Sequence, residues 1–91
     1  MFLKDLAQIS RGTLLGETLN VNDLSIDSRS IKKGQLYIAL KGDNFDGHDF
    51  VEEALKKGAS AVVISKDLKG DFPRIVVKDT KQFINSIAAN N

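Results

Sequence analysis

With 91 residues and a net charge of +1, the chain is long enough for one domain and too short for two independent cores. Its scattered, balanced charges exclude the strong field that draws nucleic acid or an anionic membrane. The absence of cysteine, with a single histidine, excludes disulfides, thiol chemistry and most zinc sites. Lys4 and Asp5 interrupt the opening segment, so it does not read as a signal peptide. No apolar run reaches membrane-spanning length, and the expectation is a cytoplasmic α/β domain without membrane insertion. A chain this short buries a modest fraction of its surface, which puts any ligand on a rim or at a junction with another domain.

In chain order, Leu3, Leu6, Ala7 and Ser10 mark one face of a first helix, with Gly12 as its stop. Thr13 to Leu15 reads as a short strand closed by Gly16. Residues 23–29 alternate, with Leu24, Ile26 and Ser28 on one side and Ser25, Asp27 and Arg29 on the other, the period of a half-buried strand. After the turn signal Lys32-Lys33-Gly34, Gln35 to Leu40 reads as a strand covered on both faces. The loop Lys41 to His48 follows. Asp49 and Glu52 form a D-x-x-E capping box for the next helix, whose stripe is Phe50, Val51, Ala54 and Leu55 and whose closing residue is Gly58. Ala61 to Ile64 and Arg74 to Val77 are further strands, separated by the charged loop Lys66 to Phe72. Asp79 and Gln82 offer a second capping box to a last helix with Phe83, Ile84, Ile87 and Ala88 inward. That helix runs into Asn90-Asn91 with no Gly or Pro stop, so the chain reads as cut rather than finished. The alternation predicts an α/β fold, a three-layer small domain with a mainly parallel or mixed central sheet flanked by helices.

The loop between a buried strand and a helix start is where open α/β sheets place ligands. Gly42 and Gly47 permit close backbone approach, and the free amides of the following helix suit an anion such as phosphate. Asn44 and Asp46 carry groups able to read a base or sugar edge. A tight polar turn with glycines for geometry alone explains the same residues. Ser28 and Arg29 form a second candidate, a hydroxyl and a guanidinium fork suited to phosphate or carboxylate. The plainer reading pairs Arg29 with Asp27 or Asp46 and lets Ser28 cap a turn. His48 has the chemistry of a general base, with Asp46 or Asp49 to orient it, but a lone histidine at a helix start more often serves structure. No P-loop, nucleophile elbow, zinc signature or receiver-type acidic cluster is present.

Residues 25–50, S-I-D-S-R-S-I-K-K-G-Q-L-Y-I-A-L-K-G-D-N-F-D-G-H-D-F, and residues 54–65, A-L-K-K-G-A-S-A-V-V-I-S, together resemble the amino-terminal domain of the Mur ligases, which build the peptidoglycan stem peptide. The match runs from about Leu24 to Thr80, with a weaker one over the first helix. The F-D-G-H-D-F ending and the later I-V-V-K-D-T are similar to the MurF type, which adds D-alanyl-D-alanine to UDP-N-acetylmuramoyl-tripeptide; the MurE type, which adds the third residue, is the close second.

The resemblance implies that residues 1–91 hold the UDP end of a UDP-N-acetylmuramoyl-peptide. It places Ser28 and Arg29 against the uridine diphosphate, Asp43, Asn44 and Phe45 against uracil, ribose or phosphate, and Lys41 and Gly42 as residues that shape the loop. Asp43-Asn44 departs from the His-Gln of MurE-type loops. The resemblance leaves His48 structural and gives this domain no cofactor. ATP and Mg²⁺, which form and use an acyl phosphate, belong to a central domain outside the chain; that domain and a C-terminal one are the implied partners. A freestanding α/β interaction module is the alternative. The reading frame beyond Asn91 separates the two, since a P-loop there favours the ligase.

Overall fold

The computed structural model describes residues 1–66 and 68–90; Asn91, in the expected unfinished end, and Asp67, in the charged loop, lie outside them. Helix α1 (Leu3–Ser10) buries Leu3, Leu6 and Ala7, the stripe expected from their spacing. Its end differs from expectation. The left-handed closing position is Arg11, at φ 60°, and not Gly12. Gly12 is required for closeness instead, because a Cβ there would stand 2.7 Å from Ile75 Cγ2 and 2.8 Å from Val77 Cγ1.

Five strands follow: β1 (Thr13–Leu15), β2 (Asp23–Ser25), β3 (Gln35–Ile38), β4 (Ala61–Ile64) and β5 (Arg74–Val76). They form one sheet in the order β1-β5-β4-β3-β2, with β1 antiparallel to β5 and every other pair parallel. The predicted mixed sheet is therefore found. Leu36 to Ile38 and Ala61 to Ile64 are fully buried because both faces of the central strands are covered. On one face α1 and α3 (Thr80–Ala89) pack around Leu36, Ile38, Ala61, Val63, Ile75 and Phe83. On the other, α2 (Val51–Lys56) covers Tyr37, Ala39, Val62 and Ile64 through Val51 and Ala54. The three layers are those expected.

Two element boundaries move. The strand read from Asp23 to Arg29 ends at Ser25. Asp27 turns the chain away, since its carboxylate accepts from the Arg29 N–H at 2.9 Å and its carbonyl from the Ser30 N–H at 3.3 Å. Such side-chain bonds compete with the sheet ladder. Ser28 is buried, but Ile26, read as lying on the same side of the strand, is exposed.

The second helix is also capped three residues earlier than expected. A short 3-10 turn (Gly47–Phe50) precedes α2, and Asp46 rather than Asp49 accepts from the His48 N–H. Phe50 accordingly leaves the helix stripe and stacks on Phe45, with ring centroids 5.3 Å apart and planes 12° apart. At α3 the expectation holds: the Asp79 side chain accepts from the Lys81 and Gln82 N–H groups. Gly58 closes α2 at φ 116°, as predicted.

Candidate functional site

The four parallel strands all point their carboxyl ends to one edge of the sheet. The segments leaving that edge are Asp27-Ser28-Arg29 after β2, Lys41 to Asp46 after β3, Ser65-Lys66 after β4 and Lys78 to Lys81 after β5. In open α/β sheets this edge is where ligands bind.

The loop after β3 is a small hairpin. Lys41 and Asp46 face each other in an isolated antiparallel backbone bridge, the Gly42 N–H donates to the Phe45 carbonyl and the Gly47 N–H donates to the Leu40 carbonyl, both at 2.6 Å. Gly42, Asp43, Asn44 and Phe45 form its exposed tip. The two glycines, alike in sequence, differ in role. A Cβ on Gly47 would lie 2.7 Å from Leu40 N and 2.8 Å from its carbonyl oxygen, whereas one on Gly42 would meet nothing nearer than 3.8 Å. Buried Tyr37 adds a tie by donating its hydroxyl to the Gly47 carbonyl at 2.8 Å. Burial, reinforced by the charges of Asp27, Glu53 and Asp46, pushes the Tyr37 pKa up to about 12, so the hydroxyl remains a donor.

Asp46 is the electrostatic centre of the loop base. It accepts from Lys66 Nζ, from the His48 N–H at 3.0 Å and from His48 Nδ1 at 2.7 Å. Lys66, and after it the His48 backbone N–H, hold its carboxyl far below the usual carboxylate range; Asp46 in turn raises Lys66. His48 Nε2 accepts from the Ser65 N–H at 2.9 Å, which makes the ring the neutral tautomer protonated on Nδ1. Both nitrogens are committed and the side chain is 2% exposed, so His48 rivets the loop to the end of β4. Two sequence expectations fall here. The amide at the 3-10 turn start that was expected to take an anion is occupied by the Asp46 carboxylate. Asp46 itself is spent on the fold and cannot read a base or sugar.

The depressed carboxyl has a pH consequence. A group whose folded pKa lies below its unfolded one stabilises the fold fully above the unfolded pKa, roughly 4, and loses that contribution as pH falls through the folded value. Asp46→Asn is therefore expected to be less stable than the parent chain at pH 6. The gap should narrow as pH drops below about 4. Urea midpoints for both chains between pH 2 and 6 measure this; a gap that stays constant to pH 2 would rule it out.

Two open clefts flank the hairpin tip. One, of about 460 Å³, is lined by Ile26, Asp27, Ser28, Arg29, Phe45 and Phe50. The other, of about 640 Å³, shares Ile26 and Phe45 and continues past Lys41, Gly42 and Ser65 to Lys78 and Lys81. The structure thus brings Ser28 and Arg29 against Phe45 in the first cleft and Lys41 and Gly42 against Phe45 in the second, while Asp43 and Asn44, at the exposed hairpin tip, line neither. Arg29 pairs with Asp27 at 3.3 Å, yet its side chain is 83% exposed, leaving the guanidinium in reach of a ligand. Ile26, Phe50, Lys78 and Lys81 belong to the same edge and were not read as site residues. A further cleft beside α2 is lined by Asp49, Glu52 and Leu55 among others, a poorer match to an anion.

Residues 20–91 match the family model described as Mur ligase family, catalytic domain. The chain belongs to the Mur ligase family. It is 38% identical over 87 residues to the UDP-N-acetylmuramoyl-tripeptide–D-alanyl-D-alanine ligase of Escherichia coli, covering 96% of this chain and 19% of that enzyme. It is 40% identical over 68 residues to the UDP-N-acetylmuramoyl-L-alanyl-D-glutamate–2,6-diaminopimelate ligase of Aquifex aeolicus, covering 75% of this chain and 14% of that enzyme. The longer match makes this a MurF-type Mur ligase N-terminal domain, with MurE-type relatives beside it. A crystal structure of MurF from Acinetobacter baumannii shares the fold, with a TM-score of 0.84 at 24% identity over 94% of this chain and 20% of that one. The chain thus spans about a fifth of the MurF-type proteins it matches. No helix among the described residues is long and apolar enough to cross a membrane.

Proposed function

We propose that residues 1–91 form the domain that anchors the UDP part of UDP-N-acetylmuramoyl-tripeptide for the addition of D-alanyl-D-alanine in a cytoplasmic, ATP-dependent ligase. Central ATP-binding and C-terminal domains of a longer chain complete the enzyme in this reading. The carrying observation is that Ser28-Arg29 and the hairpin residues Lys41, Gly42 and Phe45 line two adjoining clefts at the carboxyl edge of the sheet that share Ile26 and Phe45. Phe45 offers a ring face to the base, Arg29 a fork to phosphate, and Lys41, Gly42, Asp43 and Asn44 the hairpin that frames them. Binding energy from this remote handle positions the distant carboxylate for reaction. ATP and Mg²⁺ chemistry is assigned to the remainder of the enzyme. The carboxylates lining the two clefts, Asp27 and Asp79, already accept from backbone N–H groups, which does not fit a Mg²⁺ cage.

Titrating the chain with UDP to millimolar concentration is expected to shift the amide signals of Ser28, Arg29 and Asp43 to His48. If none of them moved, this surface would not be the nucleotide site. A MurE-type role is the second reading, favoured by the Aquifex aeolicus relative. Ligase assays on the full natural-length protein, with D-alanyl-D-alanine or a third-position amino acid as the amine, separate the two.

A further inference from the structure

The turn after β2 that carries Arg29 is gripped on both sides of the Arg29 Cα. On one side the Arg29 N–H donates to the Asp27 carboxylate at 2.9 Å. On the other the Arg29 carbonyl accepts from Lys57 Nζ at 3.1 Å, a bond reaching across from the end of α2. The Ser25–Asp27 and Asp27–Ser30 bonds stay within the turn, whereas Lys57 ties it to another element. The far end of that tie is fixed as well. Glu53, one helical turn before Lys57, pairs with the same ammonium at 3.1 Å. The Gly34 N–H donates to the Gly58 carbonyl at 3.1 Å, docking the end of α2 beside the start of β3. Bonds at both the N–H and the carbonyl restrain the two backbone dihedrals of Arg29, and with them the direction of its side chain. The side chain itself is held at Nε by Asp27 at 3.3 Å, which leaves its terminal nitrogens for a ligand.

We infer that Lys57 is a positioning residue, oriented by Glu53, that aims the Arg29 fork into the smaller cleft. The inference rests on the reading above, in which Arg29 meets the phosphate of a uridine nucleotide. Lys57 lines neither cleft at this edge, so its effect on a ligand passes through Arg29. The Arg29 side chain is largely exposed and has little packing to direct it. Fixing the backbone from which it springs reduces the freedom that must be given up when a ligand is gripped.

Amide titrations of the 91-residue chain with UDP and with uridine test this. Lys57→Met keeps the aliphatic stem and removes the donor. It should bind UDP about threefold more weakly, the scale of one modest hydrogen bond, and uridine unchanged. The Lys57–Glu53 pair is partly exposed, so the urea midpoint should hardly move. Lys57→Arg, which keeps a cationic donor, should recover the UDP affinity. In an Arg29→Ala background, Lys57→Met should cost nothing further, because the two residues act as one unit. Without ligand, the Arg29 and Ser30 amides of Lys57→Met should gain fast motion in heteronuclear NOE measurements. Unchanged UDP affinity in Lys57→Met would overturn the inference while the nucleotide site stood. Equal losses with and without Arg29 would overturn it too, marking Lys57 as an independent charge, as would a loss shared by uridine. A parent chain that bound neither ligand would overturn the nucleotide reading itself, and the amide motion would still decide whether Lys57 holds Arg29.

Discussion

Replacing Gly47 with alanine is expected to destabilise the chain by about 3 kcal/mol, at the upper end of what an extra methyl in a packed site costs. The new Cβ would sit within 3.0 Å of Leu40 N, Leu40 O and Ala39 Cα. All three are backbone atoms of the segment leaving the buried strand β3, so no side chain can swing aside. The displaced segment would also lose the Gly47 N–H to Leu40 bond and the Tyr37 hydroxyl tie, loosening the hairpin that carries the proposed ligand contacts. Gly42→Ala is the matched control. Its nearest neighbour would be 3.8 Å away, and stability should change by less than about 0.5 kcal/mol. Urea unfolding of the two variants gives the comparison, and equal midpoints would show that the loop base is not rigidly held.

Phe83→Ala should cost about 3–5 kcal/mol, the usual range for a buried aromatic cut to a methyl group. Phe83 is buried at the centre of the α1/α3 face, with the α1 residues Leu3, Leu6 and Ala7 in the same cluster. Net stabilities of single domains are about 5–15 kcal/mol, so one such loss removes a large share. Phe45→Ala is the informative contrast. Phe45 is 51% exposed, so its removal should leave the urea midpoint nearly unchanged while weakening UDP binding. A chain that lost stability at Phe45 and kept it at Phe83 would contradict the layer assignment.

The core strands were legible because an unbroken apolar run such as Leu36 to Leu40 or Ala61 to Ile64 has few other uses in a short α/β chain. Asp79 was legible as a cap because no competing Asp, Ser or Thr stands just before it. At α2 two aspartates three residues apart precede one apolar run, and pattern alone chose the wrong one. Asp46 prevails because Lys66 reaches it from elsewhere in the fold and the neighbouring His48 ring that bonds it is itself held by Ser65. The end of β2 was misplaced for a related reason: alternation continues through Ile26 and Ser28, but the Asp27 side chain has already closed a turn. Arg11 could not be anticipated as the left-handed residue beside a glycine, since only the approach of Ile75 and Val77 fixes what Gly12 is for.

For the site, local pattern located the Lys41–His48 loop and the Asp27-Ser28-Arg29 turn as separate candidates. Their juxtaposition is a product of the β2–β3 pairing. Lys78 and Lys81 lie near the hairpin tip because β5 ends on the same edge two strands away, a closeness that no spacing along the chain encodes. Phe50 was assigned to a buried helix stripe, and Ile26 to one side of a half-buried strand, because apolar residues at helix and strand periods usually serve packing.

The Lys41–Asp46 bridge has a consequence for how quickly and how tightly the edge can be occupied. Ordering one residue of free backbone costs about 1–2 kcal/mol in lost entropy. Here the bridge, the Gly42 to Phe45 bond and the Gly47 rivet have frozen the stem before any ligand arrives. Within the tip, Asp43 and Asn44 lie between the two residues that the Gly42 to Phe45 bond ties. A nucleotide bound as proposed would therefore meet a template that is largely pre-set, and little of its affinity would be consumed in assembling the surface it binds.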